Sequence, residues 1–112
     1  MMGLSPTDVV AAVEPLHVAA LGLNCGRSLE DTDALVTEFL AVASGLPLWV
    51  KPNAGVPRIV ADAVVYDADP ETLAGHVTDY VARGARIVGG CWGATPSHIA
   101  AIARALVREG RA

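Results

Sequence analysis

The chain has 112 residues, 53% of them hydrophobic, which suits one compact domain with its own core (residues 1–112) and excludes two. Eight Lys and Arg against twelve Asp and Glu leave a net charge of -4, which gives no basic footprint for a nucleic-acid backbone or an anionic membrane surface. No apolar run reaches the roughly 18 residues of a membrane-spanning helix, and Met1 to Val10 lacks the basic and apolar blocks of an export signal, so a cytoplasmic protein without nucleic-acid or membrane partners is expected.

Ser5-Pro6-Thr7-Asp8 sets a hydroxyl cap, a proline at the first helical position and an acid ahead of Val9, Val10 and Val13. This predicts a short helix that Pro15 ends. Val18 to Leu23 is apolar apart from Gly22 and predicts a strand buried on both faces, ending at Asn24-Cys25-Gly26. Ser28 with Asp31 resembles a capping box, and Leu35, Val36, Phe39, Leu40 and Ala43 recur at helical spacing until Gly45. Leu46 to Lys51 is the second strand, delivering Pro52-Asn53-Ala54-Gly55. Val56 to Asp67 is read as a loop. Asp69-Pro70-Glu71 opens a helix with Leu73, Val77, Tyr80 and Val81 on its buried stripe and Gly84 at its end. Ala85 to Val88 is the third strand and leads into Gly89-Gly90-Cys91-Trp92-Gly93. Thr95-Pro96 caps a last helix with Ile99, Ile102, Ala103, Leu106 and Val107 inward, and Arg104 and Arg108 toward the negative end of its dipole.

Helices alternating with strands and right-handed crossovers predict an α/β fold with three parallel strands. A complete (β/α)8 barrel takes about 200 residues or more, so this chain supplies three of eight units, a partial barrel. An open three-stranded sheet leaves two edges to cover; a fragment, or a piece that associates with other chains, is expected. In such sheets the carboxyl ends of the strands carry the site, and both cysteines fall there. Read from the residues alone, Cys25 and Cys91 are inert core thiols, metal ligands or catalytic thiols, with a disulfide the least expected in a reducing compartment. Asn53 is either a turn residue or a site residue. Trp92 reads as an apolar filler at a strand end or a wall of a remodelled pocket. His98 reads as solvent-facing in the first turn of its helix, and His17 and His76 show no partner pattern.

Gly-Leu-Asn-Cys at 22–25, Pro-Asn-Ala-Gly at 52–55, Tyr66-Asp67 followed by Pro70-Glu71, and Gly-Gly-Cys-Trp-Gly-Ala-Thr-Pro-Ser-His-Ile at 89–99 together resemble the homocysteine S-methyltransferase family. That family includes the homocysteine-binding module of cobalamin-dependent methionine synthase. The resemblance is collinear over nearly the whole chain and implies the last three βα units of the family's barrel. It implies zinc held by three thiolates, one from the first motif and two adjacent ones from the last. Cys25 and Cys91 match two of these, and Trp92, which cannot ligate, stands in the third position. It further implies that Asn53 corresponds to the residue that takes the metal's open position in some members. The substrate implied is homocysteine, and methylcobalamin is one candidate methyl donor. The barrel strands that help hold the substrate's amino-acid end lie outside these residues, so self-association or a complementary barrel-half chain is the expected partnership.

Zinc bound by sulfur lowers the pKa of an incoming thiol and keeps it as a thiolate, which then attacks a methyl group. Geometry sets a condition. The ends of the first and third strands of a flat sheet are roughly 10 Å apart, whereas two sulfurs on one zinc are at most about 4.6 Å apart. Curvature or inward-bent loops must close that gap.

Overall fold

The structure is a computed structural model that describes residues 3–43 and 45–111. Met1 and Met2, the start of the segment without the blocks of an export signal, lie outside the described residues. The chain runs α1 (Pro6–Val13), a single 3-10 turn (Glu14–Leu16), β1 (Leu21–Cys25), α2 (Leu29–Val42), β2 (Leu48–Pro52), β3 (Pro57–Val60), β4 (Ala63–Tyr66), α3 (Pro70–Arg83), β5 (Ile87–Val88) and α4 (Pro96–Arg108). It is an α/β fold in which β1, β2 and β5 form a parallel sheet in that spatial order. The register pairs Leu21 with Leu48 and Cys25 with Pro52 on one side of β2, and Trp49 with Ile87 and Val50 with Val88 on the other.

The helix starts follow from the caps. At α1, the Asp8 N–H donates to Ser5 Oγ (3.2 Å) and the Ser5 N–H to Asp8 Oδ2 (2.9 Å), a reciprocal box. At α2 only half of the expected box forms. The Asp31 N–H donates to Ser28 Oγ (3.1 Å), but the Asp31 carboxylate turns outward to Arg27 Nε (3.0 Å). A charged partner one helical turn away competes with the cap backbone for the same oxygens. Asp69 caps α3 by accepting from the Thr72 N–H (2.8 Å), and Gly84, at φ 127°, ends it.

The first strand lies later than its apolarity suggests. Apolar composition marks burial, whereas the ladder needs a partner, and β2 begins only at Leu48; the first bond is Leu21 N–H to Pro47 O (3.0 Å). The third strand has a two-residue ladder, yet Arg86 N–H to Leu48 O, Gly89 N–H to Val50 O and Cys91 N–H to Pro52 O keep it alongside β2 as far as the cysteine.

The expectation of strands buried on both faces is corrected. Leu21, Leu48 and Val50 lie on the face toward the helices and are buried. The alternate residues Gly22, Asn24, Trp49 and Ile87 lie on the other face and are exposed, Trp49 by 42% and Ile87 by 40%. Helices cover only one side, so the molecule is a slab of 47 × 38 × 19 Å. A continuous apolar run cannot say which of its two faces this chain covers.

Val56 to Asp67, expected as a loop, contains an antiparallel hairpin, with Pro57 opposite Tyr66 and Val60 opposite Ala63. Its two-residue turn is Ala61-Asp62, both with left-handed backbone (φ 48° and 64°), the geometry usually signalled by Asn-Gly or Asp-Gly. Without glycine in the turn and without a buried face, neither local signal was present.

The core is Val36, Leu48, Val50, Leu73, Val77, Tyr80 and Ala101. Tyr80 carries the one hydroxyl in this set, and its O–H donates to Asp33 Oδ1 on α2 (2.6 Å). His76, read as having no partner, places Nδ1 3.0 Å from both Asp33 carboxylate oxygens. Burial first, then the Asp33 carboxylate, pushes the Tyr80 phenol well above its ordinary value of 10.0.

Candidate functional site at the carboxyl ends of the strands

Three loops meet at the carboxyl edge of the sheet, following β1, β2 and β5. Cys25 closes β1 with a left-handed backbone, φ 68°, a conformation that costs roughly 1–3 kcal/mol for a residue with a Cβ. It breaks the strand's alternation, so consecutive side chains meet rather than diverge: Asn24 Nδ2 donates to Cys25 Sγ at 3.1 Å. Cys91 arrives from the far strand, and its sulfur lies 3.2 Å from that of Cys25. The roughly 10 Å expected of a flat sheet is closed by the loops.

Asn53 clips those loops together. Its Nδ2 donates to Gly26 O (3.1 Å) and its Oδ1 accepts from the Trp92 N–H (3.1 Å), while its own N–H donates to Cys25 O (3.2 Å). The side chain therefore works as a brace between the two cysteine loops, with both ends of its carboxamide engaged. The Ala54 N–H adds a bond to Trp92 O (2.9 Å). Gly93, at φ 81°, lies against the Tyr66 ring, where a Cβ would overlap it, and Gly55, at φ 84°, makes the same close approach to Asp67. Asp67 Oδ1 accepts from the Val56 N–H (2.7 Å) and pins the base of the hairpin.

The two thiols influence each other. Their mutual hydrogen bond is the main cause that raises Cys25, with burial adding to it. At Cys91 burial acts upward, but donation from Cys25, from Asn24 and from the Trp92 N–H outweighs it and holds that thiol below its ordinary value.

Two readings of nearby residues are corrected. Trp92 is 68% exposed and fills nothing; its backbone, held by Asn53 and Ala54, is the part that the site uses. His98 is buried, not solvent-facing. Its Nδ1 accepts from the Thr95 N–H (3.1 Å), so the ring proton sits on Nε2 and is donated to Ala68 O (2.9 Å). His98 thereby replaces the usual acidic partner of a capping box and ties α4 to the loop ahead of α3. Asn24 was absent from the expected site. Its signal was its place beside Cys25, which strand alternation argued against. His17 is exposed at a left-handed position after the 3-10 turn.

A shallow hollow of about 200 Å3 on the open sheet face is lined by Gly22, Leu23, Asn24, Trp49 and Lys51. Lys51 Nζ sits 5.0 Å from the Trp49 ring centre. The larger hollow of about 470 Å3, against Glu71, Arg104 and Arg108, shares no residue with the thiols.

The family model for homocysteine S-methyltransferase matches residues 1–106. The chain belongs to the homocysteine S-methyltransferase family. It is 36% identical over 109 residues to the methionine synthase of Mycobacterium leprae and 35% identical over 107 residues to that of Mycobacterium tuberculosis, covering 96% and 95% of this chain. It spans only 9% of the length of each of those relatives. The apo crystal structure of the homocysteine methyltransferase MmuM from Escherichia coli superposes with a TM-score of 0.67 at 35% identity, over 88% of this chain and 32% of that one.

The three-thiolate zinc that the resemblance implies needs three sulfur donors. Cys25 and Cys91 lie close enough to share an ion, but Trp92 offers neither sulfur, nitrogen lone pair nor oxygen. Among the described residues no group of three His, Cys, Asp or Glu side chains comes together to hold a metal. Both ends of the Asn53 carboxamide are already engaged. The residues do not complete a three-thiolate site.

Proposed function

We propose that this chain is part of a homocysteine-binding (β/α)8 barrel, its last three units, that takes part in cytoplasmic methyl transfer to homocysteine toward methionine. The observation that carries the reading is the meeting of Cys25 and Cys91 at the carboxyl mouth of the sheet, 3.2 Å apart, braced by Asn53. In this reading the homocysteine sulfur enters beside the two thiols, and Asn24, Trp49 and Lys51 form one wall of its chamber. Zinc-thiolate activation calls for the third sulfur that Trp92 replaces, so the chain as it stands is impaired in that activation. Methylcobalamin is the candidate donor of the cobalamin-dependent branch. The bare sheet face and the edge strands β1 and β5 support a complementary barrel portion as partner, with self-association as the other outcome.

The test mixes the chain with a polypeptide carrying the other five barrel units of a family member and titrates homocysteine by calorimetry under reducing conditions. Saturable binding that weakens in Cys25→Ser and is absent for homoserine is expected. A complemented barrel that takes up no homocysteine overturns the reading. A second reading, a non-catalytic assembly subunit, is favoured by the exposed Trp92 at a ligand position; it gains if the complex forms yet binds no homocysteine.

A further inference from the structure

We infer that the β3–β4 hairpin is a dimerisation arm, in which β4 pairs edge to edge and antiparallel with β4 of a second copy of this chain. Seven of the eight strand residues are exposed and only Tyr66 is half-buried; Ile59 is 80% exposed and Val64 64%. A two-stranded hairpin without a covering layer is marginal in water. With Val56, Val60, Val65 and Trp92, these side chains leave on the order of 500 Å2 of apolar surface open, as much as the largest patch on an ordinary monomer. Contributed by two copies, such a surface lies at the low end of specific interfaces and suits a reversible dimer. The inference uses neither the thiols nor the open face of the parallel sheet, and it is independent of whether the chain binds homocysteine.

The hydrogen-bond phase of the hairpin selects the edge. Its two-residue left-handed turn closes on the bonded pair Val60 and Ala63, and the Asp67 N–H to Val56 O bond (3.3 Å) lies in the same phase. Pro57 opposite Tyr66 and Ile59 opposite Val64 are therefore the non-bonded pairs, whose backbone groups point outward. On β3 the outer edge lacks the N–H of Pro57. On β4 it offers both groups of Val64 and of Tyr66, and no third strand pairs there among the described residues. A two-fold axis through Val65 lets Val64 and Tyr66 of one copy exchange both N–H to O bonds with Tyr66 and Val64 of the other, four bonds in all. Moving the axis to Val64 would call on Asp62, which is in the turn, and moving it to Tyr66 would call on the Ala68 N–H, which already donates to Ala54 O (3.0 Å). The register is thus self-selecting. It sets the Tyr66 ring beside Val64 of the second copy, a favourable aromatic and β-branched pair, and keeps the two Arg58 side chains three strand spacings apart, roughly 14 Å. Because the Tyr66 ring lies against Gly93, the second copy arrives beside the loop that carries the exposed Trp92.

The full reduced chain carrying Trp49→Lys and Ile87→Lys, which removes assembly through the open sheet face, is followed by sedimentation equilibrium and by amide hydrogen exchange. A reversible monomer–dimer equilibrium is expected, with the Val64 and Tyr66 amides gaining protection as concentration rises and the Ile59 amide gaining none. Val64→Pro removes one outward N–H and no bond inside the hairpin; the two-fold axis counts the loss twice, so Kd should rise at least about tenfold. Ile59→Pro, the matched change on the outer edge of β3, should leave the dimer in place. If either proline opens the hairpin, seen as fast exchange at Val60 and Val65, the amide pattern without proline decides alone. A monomer at every concentration, a dimer that survives Val64→Pro, or protection at Ile59 in place of Val64 overturns the proposal. So does protection of Val64 and Tyr66 that arises only on mixing with the polypeptide carrying the other five barrel units, which would assign this edge to that polypeptide.

Discussion

The resemblance to the family assigns the position of Trp92 to a second cysteine beside the first, and the Trp92 indole is directed to solvent. The backbone of the loop is nonetheless held by Asn53 and Ala54, so a smaller side chain is expected to be accepted there without rebuilding it. Trp92→Cys should raise zinc affinity by at least about 100-fold, more than is lost with an outer-shell partner, as read by competition with a chromogenic chelator. No gain would count against Cys25 and Cys91 as metal-site positions. His98 supplies a second prediction. Replacing it with Ala leaves Ala68 O and the Thr95 N–H without their partner, and a loss of about 2 kcal/mol is expected from a buried group left unsatisfied. Urea unfolding measures it. His98 was legible as a residue of the first turn but not as a buried one, because burial there depends on the Ala68 carbonyl, thirty positions earlier in the chain.

Each of the four helices starts where its cap residue indicates, with a proline at the first helical position of α1, α3 and α4 but not of α2, since capping is a contact between residues three apart and needs nothing from the rest of the fold. The hairpin is the counterexample. Its Ala61-Asp62 turn adopts left-handed geometry without glycine, so Asp62→Gly is expected to stabilise it by about 1 kcal/mol. Slower hydrogen exchange at the β3 and β4 amides checks this, and unchanged exchange would mean that the turn is not under strain. Between α2 and α3, Tyr80 gives a pH dependence. Its pKa is raised in the fold, so its contribution is complete below the unfolded value of 10.0 and is lost as pH climbs above it. Stability should therefore fall above pH 10.0, by up to about 1.4 kcal/mol per pH unit for one proton. Denaturant unfolding of Tyr80→Phe should lack that component; an identical alkaline slope in the variant would assign the loss to other groups.

At the scale of the molecule, the sheet has helices on one side only. Its other face shows Trp49 and Ile87 half-exposed, and β1 and β5 are edge strands. Unpaired edges and a bare apolar face favour association. Sedimentation should detect concentration-dependent assembly that Trp49→Lys with Ile87→Lys weakens, and a monomer at all concentrations would remove the support for a partner on this face. The expectation of strands buried on both faces failed because the helices pack on one face of the sheet only, leaving Trp49 and Ile87 exposed on the other. Hydrophobic runs report the environment for which a strand is suited, not the surfaces present in one chain.

The amino-acid sequence by itself determined the family, the alternation of helix and strand, the helix caps and the location of both cysteines at strand ends. These rest on local patterns, contacts between near neighbours and collinear motifs. Only the tertiary structure decided that the two sulfurs touch, that Asn53 braces their loops, that His98 and His76 have partners and that one sheet face stands open. Each of those depends on residues that the chain keeps far apart and that only the packed sheet and its loops bring within hydrogen-bonding distance.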